Sequence, residues 1–234
     1  MKKQKNTRLL RVLLPILGLA LVLSALGLYR HYTQAPKSLK EYYSRLYPQQ
    51  RYAEDVDRIQ YDYPRLMSAA KTVLIVTPEG DLEPGAGKGY SQNTNYAGTD
   101  LRAKYRAWDP RTYRRVKVLR VIKGDAEPGD TVGVWEWCAV TEEEHMLLRY
   151  TEGDWPMVKG CVYLLFLNGE VSPDDTRDVR TICGSNGWFD LTHLSLNEPE
   201  FLPVLKAALR DLGMASGNRI TTPWTDRRFA LEAR

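Results

Sequence analysis

The chain has 234 residues, of which 43% are hydrophobic and 26% charged, values near those of folded soluble proteins. This composition argues against a globally disordered chain or a multi-span membrane protein, and it leaves room for one ordinary globular domain. The formal net charge of +4 comes entirely from residues 1–11, so the rest of the chain is near neutral. Such a domain has little attraction for phosphate backbones, and nucleic-acid binding is not predicted.

An apolar run over residues 12–29 predicts one transmembrane helix. With Leu9 and Leu10 it covers about 21 positions, roughly 30 Å as a helix, which matches one hydrocarbon core. Five Lys/Arg precede the run and fewer follow it closely. The positive-inside rule therefore predicts a cytoplasmic tag at 1–11 and a single-pass protein of the cell membrane with an extracellular C-terminal domain. A cleaved signal peptide is the alternative, since Ala25 and Gly27 are small residues with suitable spacing.

Two short helices are predicted before the first strand. Ser38 to Glu41 has the pattern of a capping box, and the helix that follows it lies in a juxtamembrane stem over residues 30–62. The second helix covers Pro64 to Ala70, with Pro in its first turn, and opens an extracytoplasmic domain over residues 63–215.

Five segments of this domain have the composition of strands. The β-branched run at 71–77 is typical of a strand buried on both faces. Between Tyr113 and Lys123 the apolar residues change parity, which indicates a β-bulge, and a dense turn signal then predicts a hairpin with the next strand. A long polar connection from Pro78 to Arg111 is interpreted as loop. The five predicted strands are 71–77, 113–123, 131–140, 162–167 and 179–183.

A C-terminal helix is predicted from Glu198 to Leu212, capped by Asn197 and ended by Gly213. Residues 216–234 lack periodicity and are interpreted as a flexible tail. The fold class is α+β, mainly β: a small five-stranded curled sheet or OB-like barrel with a covering helix. A β-sandwich is the alternative.

Residues 66–194 resemble an uncharacterised group of small membrane-anchored or secreted surface proteins of Gram-positive bacteria. A helix ending in Ala70 precedes a Val-rich strand, and a second strand ends at Lys123-Gly124. The similar motifs that follow are Pro128-Gly129-Asp130-Thr131-Val132, Tyr163-Leu164-Leu165-Phe166-Leu167 and Gly187-Trp188-Phe189-Asp190. The resemblance implies an extracytoplasmic domain resembling a β-barrel and transfers no catalytic residue.

No metal ligand set, cofactor motif or catalytic constellation is recognised. The histidines, His31, His145 and His193, have no metal-ligand spacing to one another or to a cysteine pair. Cys161 and Cys183 would lie opposite each other if 162–167 and 179–183 pair around a turn near residue 172, so a disulfide between them is one interpretation. The other is that both, with Cys138, are small buried hydrophobic residues.

Aromatic residues are the most suggestive feature. Trp135 and Trp137 lie on one parity of a strand and form a platform about 7 Å apart, suited to stacking on a sugar ring. The simpler interpretation is that the C-terminal helix covers this pair as a second small core. The candidate ligand-binding residues are Trp135, Trp137, Trp155, Trp188, Tyr90 and Tyr96.

The leading hypothesis is a membrane-anchored extracytoplasmic binding module that acts at the cell envelope on a cell-wall glycan or an envelope protein. The first alternative is a membrane-tethered hydrolase whose acid and base, such as Asp154, Glu136 and His193, come from distant positions. The second alternative is a structural scaffold of an envelope complex.

Overall fold

The computed structural model describes residues 23–24, 36–52, 60–93, 98, 104–171, 179–182, 187–216 and 219–232. The predicted anchor at 12–29 lies outside the described residues, except for Leu23 and Ser24. Within the described part of the chain, no helix combines the length and the apolar character needed to cross a membrane. All elements below belong to the unit Ser38–Arg234.

The centre of the fold is a six-stranded antiparallel sheet. Five of its strands are neighbours in the order β3 (Lys88–Gln92), β4 (Tyr105–Lys123), β2 (Thr72–Pro78), β8 (Tyr163–Leu167) and β9 (Trp188–Asp190). The sixth strand, β5 (Thr131–Glu136), pairs with β4 on the edge opposite β2. This bears out a mixed α+β fold that is mainly β.

Strand β4 bends where it carries extra residues relative to β2. The register shifts between Val73 and Leu74 and again between Ile75 and Val76, which leaves Ile122 and Leu119 unmatched. The predicted bulge is therefore present, in two copies. However, the predicted OB-like barrel is wrong, because no closed barrel forms among the described strands and separate layers cover both faces of the sheet instead.

One face of the sheet is covered by helices. Residues on alternate positions of β2 and β8 pack against α2 (Tyr63–Ala69) and α3 (Leu202–Asp211). Asp62 caps α2 through its side chain, as its position before Pro64 suggests. Helix α3 begins later than predicted, at Leu202, and places Leu205 and Leu209 in this core.

The opposite face packs against a small sheet and the first helix. The small sheet has the order β1-β7-β6, from β1 (Gln50–Tyr52), β7 (Leu147–Arg149) and β6 (Cys138–Val140). Helix α1 (Leu39–Leu46) is capped by Ser38, whose side chain accepts the Glu41 N–H as the capping box predicts. Leu39 and Tyr43 are buried in the same core, so this part of the predicted stem packs on the domain.

Two predictions for connecting segments are wrong. The Pro78 to Arg111 connection contains β3 and the start of β4, which pair with each other. The sequence does not indicate these strands, because their residues are mostly polar and show no apolar alternation. The predicted flexible tail forms a third sheet of β10 (Ala215–Ser216), β11 (Arg219–Ile220) and β12 (Leu231–Glu232), and it buries Ile220, Phe229 and Leu231.

Candidate functional site

The four tryptophans that were named as candidate ligand-binding residues line a single cleft. Trp135 at the end of β5 and Trp137 just after it are half-buried, whereas Trp155 and Trp188 are almost fully buried. The cleft is narrow, with a cavity volume of about 20 Å³, and its mouth opens to solvent. We call it the tryptophan cleft. Its other lining residues are Val134, Glu136, Gly153, Asp154, Met157, Leu165 and Thr181.

Strand alternation positions the first two tryptophans. Val132, Val134 and Glu136 on β5 are buried, while Trp135 and Trp137 on the other parity keep partial exposure. No residue of α3 is among those that line the tryptophan cleft, and Leu205, Ala208 and Leu209 of this helix belong to another core. The simpler interpretation, in which the C-terminal helix covers the tryptophan pair, stays a prediction.

Three tryptophans of the cleft have an indole N–H group without an acceptor in the described part of the chain. The Nε1 atoms of Trp135, Trp155 and Trp188 are buried, and none has a hydrogen-bond partner among the described residues. An indole nitrogen can only donate, and a buried donor left unpaired costs about 1–3 kcal/mol. The three tryptophans all line this cleft, and each indole nitrogen has almost no exposed surface, so an acceptor from outside the chain reaches it only if the ring shifts.

Cationic side chains lie over the two outer tryptophans. Lys88 Nζ is 5.5 Å and the Arg111 guanidinium 5.8 Å from the centre of the Trp135 ring. The Arg180 guanidinium is 4.3 Å from the centre of the Trp137 ring. These contacts hold the rings in place and put positive charge beside the cleft.

The carboxylates of the cleft already have local partners. Glu136 Oε1 accepts the Met157 N–H, and Oε2 lies 3.1 Å from Nη1 of the buried Arg114. Burial raises the pKa of Glu136, and Arg114 and the Met157 N–H partly oppose that rise. Asp154 Oδ2 accepts both the backbone N–H and the hydroxyl of Thr151. Both groups therefore support the local structure.

The remaining predicted ligand-binding residues are not part of the cleft as described. Tyr90 lies on β3 and packs beside Tyr105, Met146 and Leu148. Tyr96 lies outside the described residues. His193, suggested together with Glu136 and Asp154 as a source of an acid or base pair, is not among the residues that line the cleft.

A second group of reactive side chains lies at the junction of β8 and β9. The sulfur of Cys161, a carboxylate oxygen of Asp190 and a ring nitrogen of His193 all lie within 4.8 Å of one another. Cys161 lies two residues before β8 and is 6% exposed. Asp190 ends β9 with its side chain fully buried, and the His193 side chain is 12% exposed. Sequence spacing did not reveal this group, because only the β8–β9 pairing brings it together.

Asp190 is the organising residue of this second group. Its Oδ1 accepts the backbone N–H of Thr192 at 2.8 Å and of His193 at 2.9 Å. Its Oδ2 lies 2.8 Å from Nδ1 of His193. The Asn197 side chain bonds both the N–H and the carbonyl of Asp190, which fixes the backbone there.

Aromatic rings enclose His193. The Tyr42 ring centre lies 4.9 Å from it and the Phe229 ring centre 5.0 Å. Burial lowers the pKa of His193, but hydrogen bonding to Asp190 and to Cys161 outweighs burial and raises the pKa to about 10. The imidazole is therefore a cation at neutral pH while no metal competes for its nitrogen.

The strand register differs from the one on which the disulfide prediction depends. Leu167 bridges to Thr181, and Tyr163 pairs with Asp190, so Cys161 lies beside Thr192 and His193. Cys161 and Cys138 are buried free thiols. Cys183 lies outside the described residues, and a disulfide with Cys161 stays a prediction.

In comparisons with known proteins, no family model, curated protein or solved structure matches this chain. Function is therefore inferred from the residues and geometry of the two sites.

Proposed function

We propose that the chain is a membrane-tethered, extracytoplasmic binding module that holds an acidic cell-wall glycan in the tryptophan cleft. The observation that carries this proposal is that three tryptophans lining one cleft have buried indole N–H groups without acceptors among the described residues. A ligand rich in oxygen supplies the missing acceptors.

Carbohydrate chemistry fits this cleft in two ways. Sugar rings present C–H faces that stack on indole rings, while their hydroxyl and ring oxygens accept hydrogen bonds from indole N–H. Ligand pockets of this kind combine apolar walls with a few placed polar groups. Trp155 and Trp188 supply such walls, together with Met157 and Leu165.

The charges favour an acidic sugar over a neutral one. Lys88, Arg111 and Arg180 lie over the outer tryptophans, and the negative charge of Glu136 is balanced by Arg114. Asp109 pairs with Arg111 and Asp154 lines the cleft, so the net excess of positive charge is about one. A carboxylate or phosphate on the glycan would lie among these cations and gain charge-assisted hydrogen bonds.

The membrane tether belongs to the same proposal. It is supported by the apolar run at 12–29 and the cationic residues before it. Protease added to intact spheroplasts should then remove the domain, whereas a tag fused at residue 1 should stay protected. Loss of the tag at the same rate as the domain would contradict this topology.

Binding is favoured over the two alternative functions. A hydrolase needs a free acid and base, but Glu136 and Asp154 are held by local partners and His193 belongs to the second group. A scaffold needs no buried unpaired donors, so it leaves the indole N–H groups unexplained.

The test is calorimetric titration of the full chain in detergent with soluble peptidoglycan glycan strands, and with neutral chitohexaose as the comparison ligand. We expect the acidic glycan to bind more tightly and its affinity to fall with added salt. Trp155→Phe keeps the aromatic ring and removes one donor, so we expect about tenfold weaker binding.

Trp224→Phe is the matched control, because Trp224 is half-buried and packs on the opposite core. Its affinity should equal that of the unmodified chain. The proposal fails if the unmodified chain binds neither glycan, or if Trp155→Phe and Trp224→Phe bind equally well.

A further inference from the structure

The short distances among Cys161, Asp190 and His193 distinguish between a catalytic triad and a metal site. In a relay of the protease type, the carboxylate and the nucleophile occupy opposite nitrogens of the imidazole. Two hydrogen bonds of about 3 Å and the ring between them then separate sulfur and oxygen by roughly 7 Å. Here all three donor atoms lie within 4.8 Å of one another, so the sulfur and the carboxylate lie on the same side of the ring. The geometry excludes a linear relay.

The same compactness is what a metal ion requires. Tetrahedral zinc, with bonds of about 2.0 to 2.3 Å, holds its ligand atoms roughly 3.3 to 3.8 Å apart. The present separations reach that arrangement with small side-chain adjustments. A thiolate, an imidazole and a carboxylate form a mixed set that suits zinc, because this borderline-soft ion accepts sulfur, nitrogen and oxygen ligands.

We propose that Cys161, His193 and Asp190 bind a zinc ion, with water in the remaining position. Asp190 offers Oδ2, since Oδ1 is occupied by the backbone N–H groups of Thr192 and His193. The ion takes the position between Oδ2 and Nδ1 of His193, where one hydrogen bond now joins the two atoms. On binding, the Cys161 thiol and the His193 imidazolium each release one proton to solvent, and His193 binds as neutral imidazole through Nδ1.

The surroundings hold the ligands in place. Asn197 fixes the backbone of Asp190 through two hydrogen bonds, and outer contacts of this kind are what orient metal ligands. Tyr42 and Phe229 pack on the imidazole and limit the access of water. Three protein ligands with one open position are typical of zinc sites that bind or activate a small molecule.

Cobalt is the probe for this site. We expect the full, reduced chain, stripped of metal with EDTA and titrated with Co²⁺, to develop a thiolate-to-cobalt charge-transfer band that saturates at one equivalent. Added Zn²⁺ should abolish the band. Cys161→Ser should lose the band, whereas Cys138→Ala should keep it, because Cys138 is an equally buried free thiol in the main core.

A second measurement does not depend on a folded variant. Zn²⁺ should slow the alkylation of Cys161 by iodoacetamide in the unmodified chain, as followed by peptide mass spectrometry, and leave the rate at Cys138 unchanged. Three results would overturn the proposal: no charge-transfer band in the unmodified chain, a band that survives Cys161→Ser, or a Cys161–Cys183 disulfide in the native protein.

Discussion

Oδ2 of Asp190 lies 2.8 Å from Nδ1 of His193, and this contact joins a fully buried carboxylate to a ring that is only 12% exposed. Such a pair is stabilising only while the imidazole carries its proton, because a neutral ring leaves the buried carboxylate without a charge partner. The contact therefore makes stability depend on pH in a defined direction.

The metal-free chain should lose stability as the pH rises above neutral. The pKa of His193 is about 10 in the folded chain and about 6.5 in an unfolded one. Because the folded pKa is the higher, this contribution is complete below about pH 6.5 and is lost as the pH approaches about 10.

Melting temperatures measured in EDTA between pH 6 and pH 10 should fall more steeply for the unmodified chain than for His193→Gln. His145→Asn, at an exposed position, should follow the unmodified chain. Equal slopes for His193→Gln and the unmodified chain would contradict this assignment.

Tyr43 attaches α1 to the main core. Its side chain is fully buried, its hydroxyl donates to the Pro156 carbonyl, and its ring stacks on Trp155 with centres 5.0 Å apart. Tyr43→Phe should cost about 1 kcal/mol and Tyr43→Ala about 3–5 kcal/mol of unfolding free energy in urea titrations. Tyr52→Phe is the control, because Tyr52 is 43% exposed and should change stability little. Equal stability of Tyr43→Ala and the unmodified chain would show α1 to be detached from the domain.

The ion pair of Arg114 and Glu136 should behave as a buried pair. Their side chains are 5% and 7% exposed, and the 3.1 Å contact of Nη1 with Oε2 is a charge contact that lacks hydrogen-bond alignment. Arg114→Met or Glu136→Leu alone should cost about 3–5 kcal/mol, because each leaves one buried charge unpaired. The double variant should recover the part of that loss that comes from the unpaired charge, but not the part from the carbonyls of Gly80 and Met157 and the Met157 N–H, which lose their side-chain partners. Denaturant unfolding of all four chains forms a thermodynamic cycle, and additive single effects would rule out direct coupling.

Local patterns predicted the elements that local chemistry determines. Ser38 and Asp62 cap their helices because each side chain satisfies a backbone N–H nearby in sequence. The change of parity within β4 predicted a bulge for the same reason, since side-chain direction reports directly on backbone register. These features required no knowledge of distant residues.

Features that depend on distant pairing could not be predicted. Strand β3 lacks an apolar alternation and exists because it pairs with the extended start of β4. The sequence suggested that the four tryptophans could form one site. It could not show that three of them have indole N–H groups without acceptors among the described residues, because this depends on how the side chains pack. Cys161 and His193 meet only because β9 pairs with β8 in a register that the polar connection between them does not indicate.

The C-terminal segment should be essential for stability. Ile220, Phe229 and Leu231 are at most 6% exposed, and burial of each large apolar side chain contributes about 1.5–3 kcal/mol. Their sum is comparable to the total stability of a typical domain, so a chain that ends at Asn218 should be largely unfolded. Phe229 also packs on His193, and its loss should expose that ring.

Circular dichroism and urea titration of the truncated chain test this prediction. Ile220→Ala should cost about 2–5 kcal/mol, whereas Thr221→Ala, at the next and exposed position, should cost little. A flexible tail predicts the opposite pattern, with a truncated chain as stable as the full one and with Ile220→Ala indistinguishable from Thr221→Ala.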